Sequence, residues 1–151
     1  MFICTGNICR SAMAHAILEN RIKELNKEDK VFSCGIFAEN GDYATYNSIA
    51  VLEEYDVDLT KHRATNIRES KIKEMDLILC MTKSHKNSVI QMHPELKEKT
   101  FLLKEYINIK EKIENIEILD PWGYDIEIYK NCAKEIYNAI EELIKQTIDK
   151  K

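Results

Sequence analysis

Five consecutive apolar residues, Leu77 to Met81, follow Asp76 near the middle of the chain. A strand that is apolar at every position is typical of a parallel sheet with helices on both faces. Further candidate strands lie at Met1 to Cys4, Lys30 to Cys34 and Thr100 to Leu103, and helical patterns separate them. This alternation predicts βαβ units, and therefore an α/β fold built on a parallel sheet.

Apolar positions at helical spacing fill the intervals between the candidate strands. They predict four helices, at Ser11 to Leu25, Ala44 to Tyr55, Arg68 to Met75 and Ser84 to Met92. The most regular pattern is a 3-4 repeat of apolar residues from Tyr129 to Thr147, which predicts a long helix near the C-terminus. The stretch from Lys104 to Asp120 shows no clear period.

The composition limits the classes of protein to which the chain can belong. Its 151 residues suit one domain, and we expect residues 1-151 to form that domain as a monomer. A net charge of -4 argues against nucleic acid or an anionic membrane surface as a partner. No apolar run is long enough to span a bilayer, and Arg10 interrupts any secretory signal segment.

Five cysteines are an odd number for a disulfide framework, so we expect reduced thiols and a cytoplasmic location. We interpret Cys34, Cys80 and Cys132 as small buried apolar residues. No C-x2-C pair occurs and the histidines are scattered, so we expect no metal site. Three histidines are expected on helix surfaces and are assigned no role: His15, His85 and His93.

The segment with the most specific chemistry joins the first strand to the first helix and reads Cys4-Thr5-Gly6-Asn7-Ile8-Cys9-Arg10-Ser11. Open parallel sheets bind ligands at such a turn. The loop amides and the helix N-terminus attract a phosphate group, and the Arg10 guanidinium fits two of its oxygens. We therefore expect a phosphate site lined by Thr5, Gly6, Asn7, Ile8, Cys9 and Ser11.

Cys4 stands at the base of this loop, where positive surroundings favour the thiolate form that attacks phosphorus. The Ser11 hydroxyl can donate a hydrogen bond to the sulfur. Gly6 permits a positive φ, and Asn7 tolerates the left-handed region better than most residues. A bare C-x5-R also occurs by chance in turns without chemistry, but the position after a strand and the Gly-Asn pair favour phosphate chemistry.

The loop, followed by Ala12-Met13-Ala14, resembles the signature of the low-molecular-weight protein tyrosine phosphatases. The family usually has proline where Ala12 stands, and the resemblance covers nearly the whole chain. It implies a four-stranded parallel sheet flanked by helices on both faces, in a flavodoxin-like or Rossmann-like architecture. It also implies that Cys4 is the nucleophile, that Arg10 stabilises the transferred phosphoryl group, and that no metal or organic cofactor is needed.

A second motif, Asp120-Pro121, resembles the general-acid loop of this family. The proline restricts the aspartate to extended geometry, which helps to aim its carboxyl group over a pocket. Trp122 and Phe37 resemble the aromatic walls of the substrate pocket, and Tyr124 is a third candidate.

Two further residues are assigned roles by their positions. His62 matches a segment that supports the phosphate loop in relatives, where it can bond Asn7 or a neighbour. Cys9 shares the loop with Cys4, so oxidation can close a reversible disulfide that protects Cys4 from irreversible oxidation.

Two substrates fit the resemblance. Tyrosine-type enzymes have isoleucine at the position of Ile8, whose apolar edge suits an aryl ester. A branch similar to the bacterial protein-arginine phosphatases has threonine there, yet segments such as Gly35 to Ala38, Met81 to Lys86 and Asp120 to Gly123 resemble that branch. We give the loop more weight and predict a cysteine-dependent protein-tyrosine phosphatase that binds phosphorylated protein and free phosphate or another oxyanion. Phosphoarginine is the alternative substrate.

Interpretations from other classes stay open. An arsenate reductase shares the fold and the loop, but it needs a relay of further cysteines after the third strand, and Thr82 to Asn87 contains none. A non-catalytic phosphate-binding module keeps Arg10 but lacks the nucleophile or the acid, and Cys4 and Asp120 are both present.

Overall fold

The computed structural model describes residues 1–107 and 115–149. One sheet contains four strands, β1 (Phe2–Cys4), β2 (Ser33–Gly35), β3 (Ile78–Cys80) and β4 (Thr100–Leu102). All pairings are parallel and the order is β2-β1-β3-β4, which confirms the predicted sheet. Part of the stretch from Lys104 to Asp120, which has no clear period, lies outside the described residues.

The central strand β1 positions the site. Its register pairs Cys4 with Gly35 of β2 and Ile3 with Cys80 of β3. The chain passes from β1 to β2 on one side and then returns to β3 on the other. The carboxyl end of β1 is therefore a topological switch point, where open α/β sheets place their ligands.

Helices cover both faces of the sheet: α1 (Arg10–Glu24), α2 (Tyr46–Glu53), α3 (Lys83–Met92), α4 (Leu103–Tyr106) and α5 (Ile126–Leu143), with a π-helical turn (Ile144–Ile148) after α5. Phe2 and Cys4 belong to the larger core, which contains residues of α1, α2 and α5. Ile3, between them, belongs to the smaller core with Val89 of α3. Because successive side chains of a strand point to opposite faces, β1 is buried along its whole length.

One predicted helix is wrong. The segment from Arg68 to Met75 forms two separate 3-10 turns, Ile67–Glu69 and Ile72–Glu74. Ser70 stands between them, and its hydroxyl donates to the Ile67 carbonyl oxygen while accepting from the Ile72 amide. These side-chain bonds replace the backbone bonds that a continuous helix would need.

Several predicted ends shift by one to three residues. β2 begins at Ser33 rather than Lys30. α2 begins at Tyr46 rather than Ala44, because the Thr45 side chain caps it by accepting from the Ser48 amide. Across residues 1–107 and 115–149, no helix combines the length and apolarity that crossing a membrane requires.

Candidate active site

The loop of residues 5–9 leaves the carboxyl end of β1 and leads into α1. The residues after β2 are attached to it by backbone hydrogen bonds, from the Ile36 amide to the Cys4 oxygen at 3.0 Å and from the Phe37 amide to the Thr5 oxygen at 2.9 Å. A Cβ atom at Gly35 would lie 2.5 Å from that Thr5 oxygen. β2 ends on glycine because the loop packs directly against its backbone.

Asn7 lies at the centre of the loop, with a φ of 57° and a fully buried side chain. Its side-chain nitrogen donates to Ser11 Oγ at 2.8 Å and to Ser33 Oγ at 3.0 Å, and its side-chain oxygen accepts from the Thr65 amide at 2.9 Å. The left-handed residue of the loop is therefore Asn7, as predicted. Gly6 does not use the positive φ expected of it, since the Asn7 side-chain bonds hold the turn one residue later.

Cys4 is buried at the base of the loop. Its sulfur lies 2.8 Å from Ser11 Oγ and accepts from the Asn7 backbone amide at 3.3 Å. Because Ser11 Oγ already accepts from the Asn7 side chain, its own proton can be donated to the sulfur. Ser11 is not a helix cap: α1 begins at Arg10 rather than at the predicted Ser11, with Cys9 at the N-cap position and no side-chain cap bond.

Two hydrogen bonds hold the buried guanidinium of Arg10 in place. Its Nη1 donates to the Ile118 carbonyl oxygen at 2.9 Å, and its Nη2 donates to Thr5 Oγ1 at 3.5 Å. Among the described residues, Arg10 Nε is the one buried side-chain nitrogen or oxygen without a hydrogen-bond partner. A fixed cation with an unpaired N–H is suited to binding an oxyanion beside Cys4.

The structure brings Asp120 to this guanidinium, with Oδ2 3.6 Å from Arg10 Nη2. The other carboxylate oxygen accepts from the Trp122 amide at 3.1 Å, so the turn around Pro121 orients the carboxyl group. Ile118 anchors the segment, because its amide donates to the Met81 oxygen and its carbonyl accepts from Arg10. One segment thus both holds Arg10 and places a half-exposed carboxylate at the loop.

The three predicted pocket aromatics are all exposed: Phe37 by 78%, Trp122 by 63% and Tyr124 by 65%. Phe37 adjoins the loop through its backbone bond to Thr5, and Trp122 adjoins Asp120. Tyr124 closes the turn after them by donating its amide to the Pro121 oxygen at 3.0 Å. These rings are not core residues, and their faces are accessible to a ligand.

Cys9 is buried, and its sulfur lies 3.4 Å from the Tyr129 hydroxyl oxygen and 3.6 Å from Thr45 Oγ1. Burial raises the pKa of the Cys9 thiol, so this thiol is neutral at physiological pH.

The other three cysteines are buried, as predicted. Burial raises the pKa of Cys34 and of Cys132 to about 12. Cys34 and Cys80 lie in the smaller core, on the face of the sheet opposite to that of Cys4. This placement disfavours Cys34 and Cys80 as members of a cysteine relay of the arsenate-reductase type, whereas Cys132 lies in the larger core with Cys4.

His62 makes the bond expected of it, donating from Nε2 to the Asn7 carbonyl oxygen at 2.6 Å. The prediction that His15 is a surface residue without a role is wrong. Its Nδ1 lies 2.7 Å from Ser33 Oγ, which accepts a hydrogen bond from the Asn7 side chain. The two imidazole rings pack edge to face with centroids 6.3 Å apart. Burial lowers the pKa of both histidines.

His85 corrects a second prediction, because it is 6% exposed and touches the loop. Its Nδ1 lies 3.0 Å from Thr82 Oγ1 and its Nε2 lies 2.9 Å from Thr5 Oγ1. Thr82 also caps α3 by accepting from the His85 amide. The spacing of Thr82 and His85 at a helix start is visible in the sequence, but the contact with Thr5 is not. His93, by contrast, lies at the far end of α3 beside Glu95.

Comparison with known proteins agrees with this geometry. A family model described as low molecular weight phosphotyrosine protein phosphatase matches residues 1–151. The chain is 36% identical over 143 residues to a protein-arginine-phosphatase of Geobacillus stearothermophilus, covering 95% of this chain and 91% of that protein. It is 33% identical to a low molecular weight protein-tyrosine-phosphatase of Staphylococcus aureus, covering 95% of this chain and 94% of that protein.

A solved structure of a low molecular weight protein tyrosine phosphatase from T. tengcongensis matches the fold with a TM-score of 0.88. The two chains are 38% identical, and the match covers 96% of each. The match therefore extends over nearly the whole of both chains. This chain belongs to the low molecular weight phosphotyrosine protein phosphatase family.

Proposed function

We propose that this protein hydrolyses phosphotyrosine in proteins through a phosphocysteine intermediate. The observation that carries the proposal is the convergence of Cys4, Arg10 and Asp120 at the carboxyl end of β1. They supply a nucleophile, a cation for the phosphoryl oxygens and a carboxyl group for proton transfer. These groups are sufficient for the reaction, and the proposal includes no metal or organic cofactor.

In the first step the Cys4 thiolate attacks phosphorus in line with the bond to the tyrosine oxygen. A P–S bond forms as the P–O bond breaks, while Arg10 and the loop amides hold the equatorial oxygens. Asp120, protonated at this stage, gives its proton to the leaving oxygen, and neutral tyrosine departs. Before the attack, the Asn7 amide and the Ser11 hydroxyl stabilise the thiolate.

In the second step a water molecule cleaves phosphocysteine. Asp120, now a carboxylate, accepts a proton from the water as its oxygen attacks phosphorus. The P–S bond breaks, and the Ser11 hydroxyl donates to the departing Cys4 sulfur. Inorganic phosphate leaves and Asp120 is protonated again. The half-exposed position of this carboxyl group gives water access to it.

Ile8 supports an aryl ester as the substrate. Its side chain packs against the larger core, and its Cγ1 lies 3.5 Å from the position that a Cβ would take at Gly6. The loop therefore carries an apolar side chain rather than a hydroxyl at this position. The exposed rings of Phe37 and Trp122 add apolar surface suited to a phenyl group.

Phosphoarginine is the second candidate substrate, and a specific observation favours it. Proteins named protein-arginine-phosphatase from Geobacillus stearothermophilus and Bacillus subtilis are 36% and 33% identical to this chain. The same nucleophile, cation and acid can cleave a P–N bond, with Asp120 protonating the departing nitrogen. Ile8 argues against this substrate, because it offers no hydrogen bond near the reacting phosphorus.

The proposal also concerns the setting of the enzyme. We place it as a monomer in the reducing cytoplasm, acting on phosphorylated proteins and binding free phosphate or another oxyanion in the loop. All five cysteines are free thiols, which supports a reducing compartment. The net charge of -4 supports a protein rather than a nucleic acid as the partner.

The test is kcat/KM on matched phosphotyrosine and phosphoarginine peptides, with Cys4→Ser as the blank. We expect the wild type to prefer phosphotyrosine by roughly tenfold or more, the size of one apolar pocket contact. The serine variant should lose turnover and still bind an oxyanion. Substantial turnover by that variant would refute the nucleophile. A preference for phosphoarginine would reverse the order of substrates and leave the nucleophile in place.

A further inference from the structure

His85 is a buried polar group in contact with the phosphate loop that the proposed mechanism does not use. Its ring bridges the hydroxyl oxygens of Thr82 and Thr5, at 3.0 Å and 2.9 Å. Thr5 Oγ1 lies in turn 3.5 Å from Arg10 Nη2. A continuous chain of polar contacts therefore runs from the start of α3, through His85 and Thr5, to Arg10.

The direction of these hydrogen bonds follows from the groups involved. A guanidinium can only donate, so Thr5 Oγ1 accepts from Arg10. The Thr5 hydroxyl keeps its own proton, for which His85 Nε2 is the acceptor within reach. The ring proton then stays on Nδ1 and is donated to Thr82. Electrostatics favours the same arrangement, because the lone pair of His85 Nε2 is attracted to the positive charge of Arg10, whereas an N–H at that nitrogen would be repelled.

The surroundings of His85 keep the ring neutral. Burial and the charge of Arg10 lower the pKa of His85 to about 4, although Asp120 and Glu117 act in the opposite direction. A neutral ring retains one nitrogen that can accept a hydrogen bond, whereas both nitrogens of an imidazolium are donors.

The position of Arg10 shows why such a contact matters. Its Nη2 has two candidate partners, Thr5 Oγ1 at 3.5 Å and Asp120 Oδ2 at 3.6 Å. A guanidinium drawn wholly onto Asp120 would occupy the carboxyl group that the mechanism needs for proton transfer. A Thr5 oxygen held in place by His85 competes with Asp120 for this nitrogen. Arg10 Nε, which has no hydrogen-bond partner among the described residues, then stays available to an oxyanion.

We propose that His85 is a positioning residue, which accepts a hydrogen bond from the Thr5 hydroxyl and thereby holds Arg10 in the orientation that binds the phosphoryl group. The inference rests on the proposed phosphatase function, and it extends that function to a residue outside the loop and the acid segment. His85 acts through Thr5 and does not itself touch the substrate.

Three variants test the inference. His85→Leu removes the acceptor at similar volume, His85→Gln keeps an acceptor at similar reach, and His93→Leu is the matched control at the other end of α3. Phosphate affinity is measured by calorimetric titration with inorganic phosphate, and kcat/KM with a phosphotyrosine peptide, well below the unfolding temperature of each variant. We expect a roughly tenfold loss of phosphate affinity and of kcat/KM in His85→Leu, less than about threefold in His85→Gln, and none in the control.

A double-mutant comparison and a spectroscopic measurement complete the test. Thr5→Val combined with His85→Leu should be no worse than Thr5→Val alone, because both changes break the same chain of contacts. Imidazole 15N spectra of the wild type should show a neutral His85 with its proton on Nδ1, a result that needs no variant to fold.

Three results would overturn the inference: a His85→Leu variant that loses stability but keeps its phosphate affinity, additive effects in the double variant, or a proton on Nε2. Direct phosphate binding and the tautomer are measured without turnover. A wild type that hydrolyses neither peptide would refute the proposed function, while these two measurements would still decide the role of His85.

Discussion

Gly35 and Thr5 approach so closely that a Cβ atom at Gly35 would fall 2.5 Å from the Thr5 carbonyl oxygen. The same Cβ would lie 2.9 Å from the Asn7 backbone nitrogen. Both neighbours are backbone atoms of the phosphate loop, so no flexible side chain can move aside. The shape of the loop therefore depends on a residue of the adjacent strand β2.

We expect Gly35→Ala to displace the loop, to lower kcat/KM by at least tenfold and to cost about 1–3 kcal/mol of unfolding free energy. Gly6→Ala is the comparison for stability, because a Cβ there meets Ile8 at an ordinary 3.5 Å. Urea unfolding of both variants measures the effect on stability, and kcat/KM of Gly35→Ala measures the effect on activity. Equal stability of Gly35→Ala and the wild type would show that the loop can yield.

Asp120→Asn removes the proposed acid and base while keeping the size of the side chain. We expect a small loss of kcat/KM for aryl phosphates with acidic phenols and a loss of about 10²–10⁴ for those with poor leaving groups. The measurement is kcat/KM across a series of substituted phenyl phosphates, because this constant depends on the step in which the phenol leaves. An equal loss across the series would argue against Asp120 as the acid.

Ile8→Thr tests what sets the substrate preference. A hydroxyl at this position should lower kcat/KM for phosphotyrosine and raise the relative rate for phosphoarginine, moving the ratio by about tenfold. Ile8→Val is the matched control, because it keeps an apolar, β-branched side chain without the hydroxyl. If both variants keep the wild-type ratio, the pocket walls decide the substrate instead of the loop.

Cys9→Ser tests the redox role of the second loop cysteine. Peroxide converts the Cys4 thiolate to a sulfenic acid. The Cys9 thiol loses its proton and its sulfur attacks the Cys4 sulfur, so that a disulfide forms and the sulfenic hydroxyl leaves with that proton as water. We expect dithiothreitol to restore most activity to the oxidised wild type and little to the variant. Cys132→Ser, outside the loop, is the control. Equal recovery of Cys9→Ser and the wild type would leave Cys9 without this role.

Stability should fall as the solution becomes acidic. The pKa of His15, His62 and His85 is lowered in the folded protein, for His85 to about 4, so folding favours their neutral forms. This stability is fully present above the unfolded pKa of ~6.5 and is lost as the pH falls toward the pKa values of the folded state. Urea unfolding at pH 7 and at pH 5 should differ by about 2 kcal/mol from His85 alone. His85→Gln should reduce that difference, and an unchanged difference would contradict the assignment.

The parts of the fold and site that could be predicted are those carried by neighbouring residues. The loop from Cys4 to Ser11 lies on consecutive positions at a strand-to-helix turn, so its residue types predict its chemistry without knowledge of the tertiary structure. The contact between Ser11 and the Cys4 sulfur is of this local kind. The prediction of one helix around Ser70 was wrong because helical periodicity counts apolar positions only. It carries no information about a side chain that forms hydrogen bonds with the neighbouring backbone.

Contacts between distant segments could not be predicted in the same way. The prediction that His85 lies on an exposed helix surface was wrong. Hydrophobic periodicity indicates which face of a helix is apolar, but it does not indicate which other segments pack against the first turn of that helix. That turn follows β3, whose carboxyl end adjoins the loop after β1, and the neighbouring strand therefore buries a residue that the pattern leaves exposed.

The sequence by itself determined the four strands, the phosphate loop and the presence of an Asp-Pro motif, because hydrophobic period and turn chemistry are local properties. The tertiary structure alone decided which distant residues contact the phosphate loop. Arg10 is anchored to Ile118 across 108 residues, Thr5 to His85 across 80 and Asn7 to Thr65 across 58. These bonds depend on the order in which parallel strands cross the sheet, which brings the carboxyl ends of distant segments to one edge.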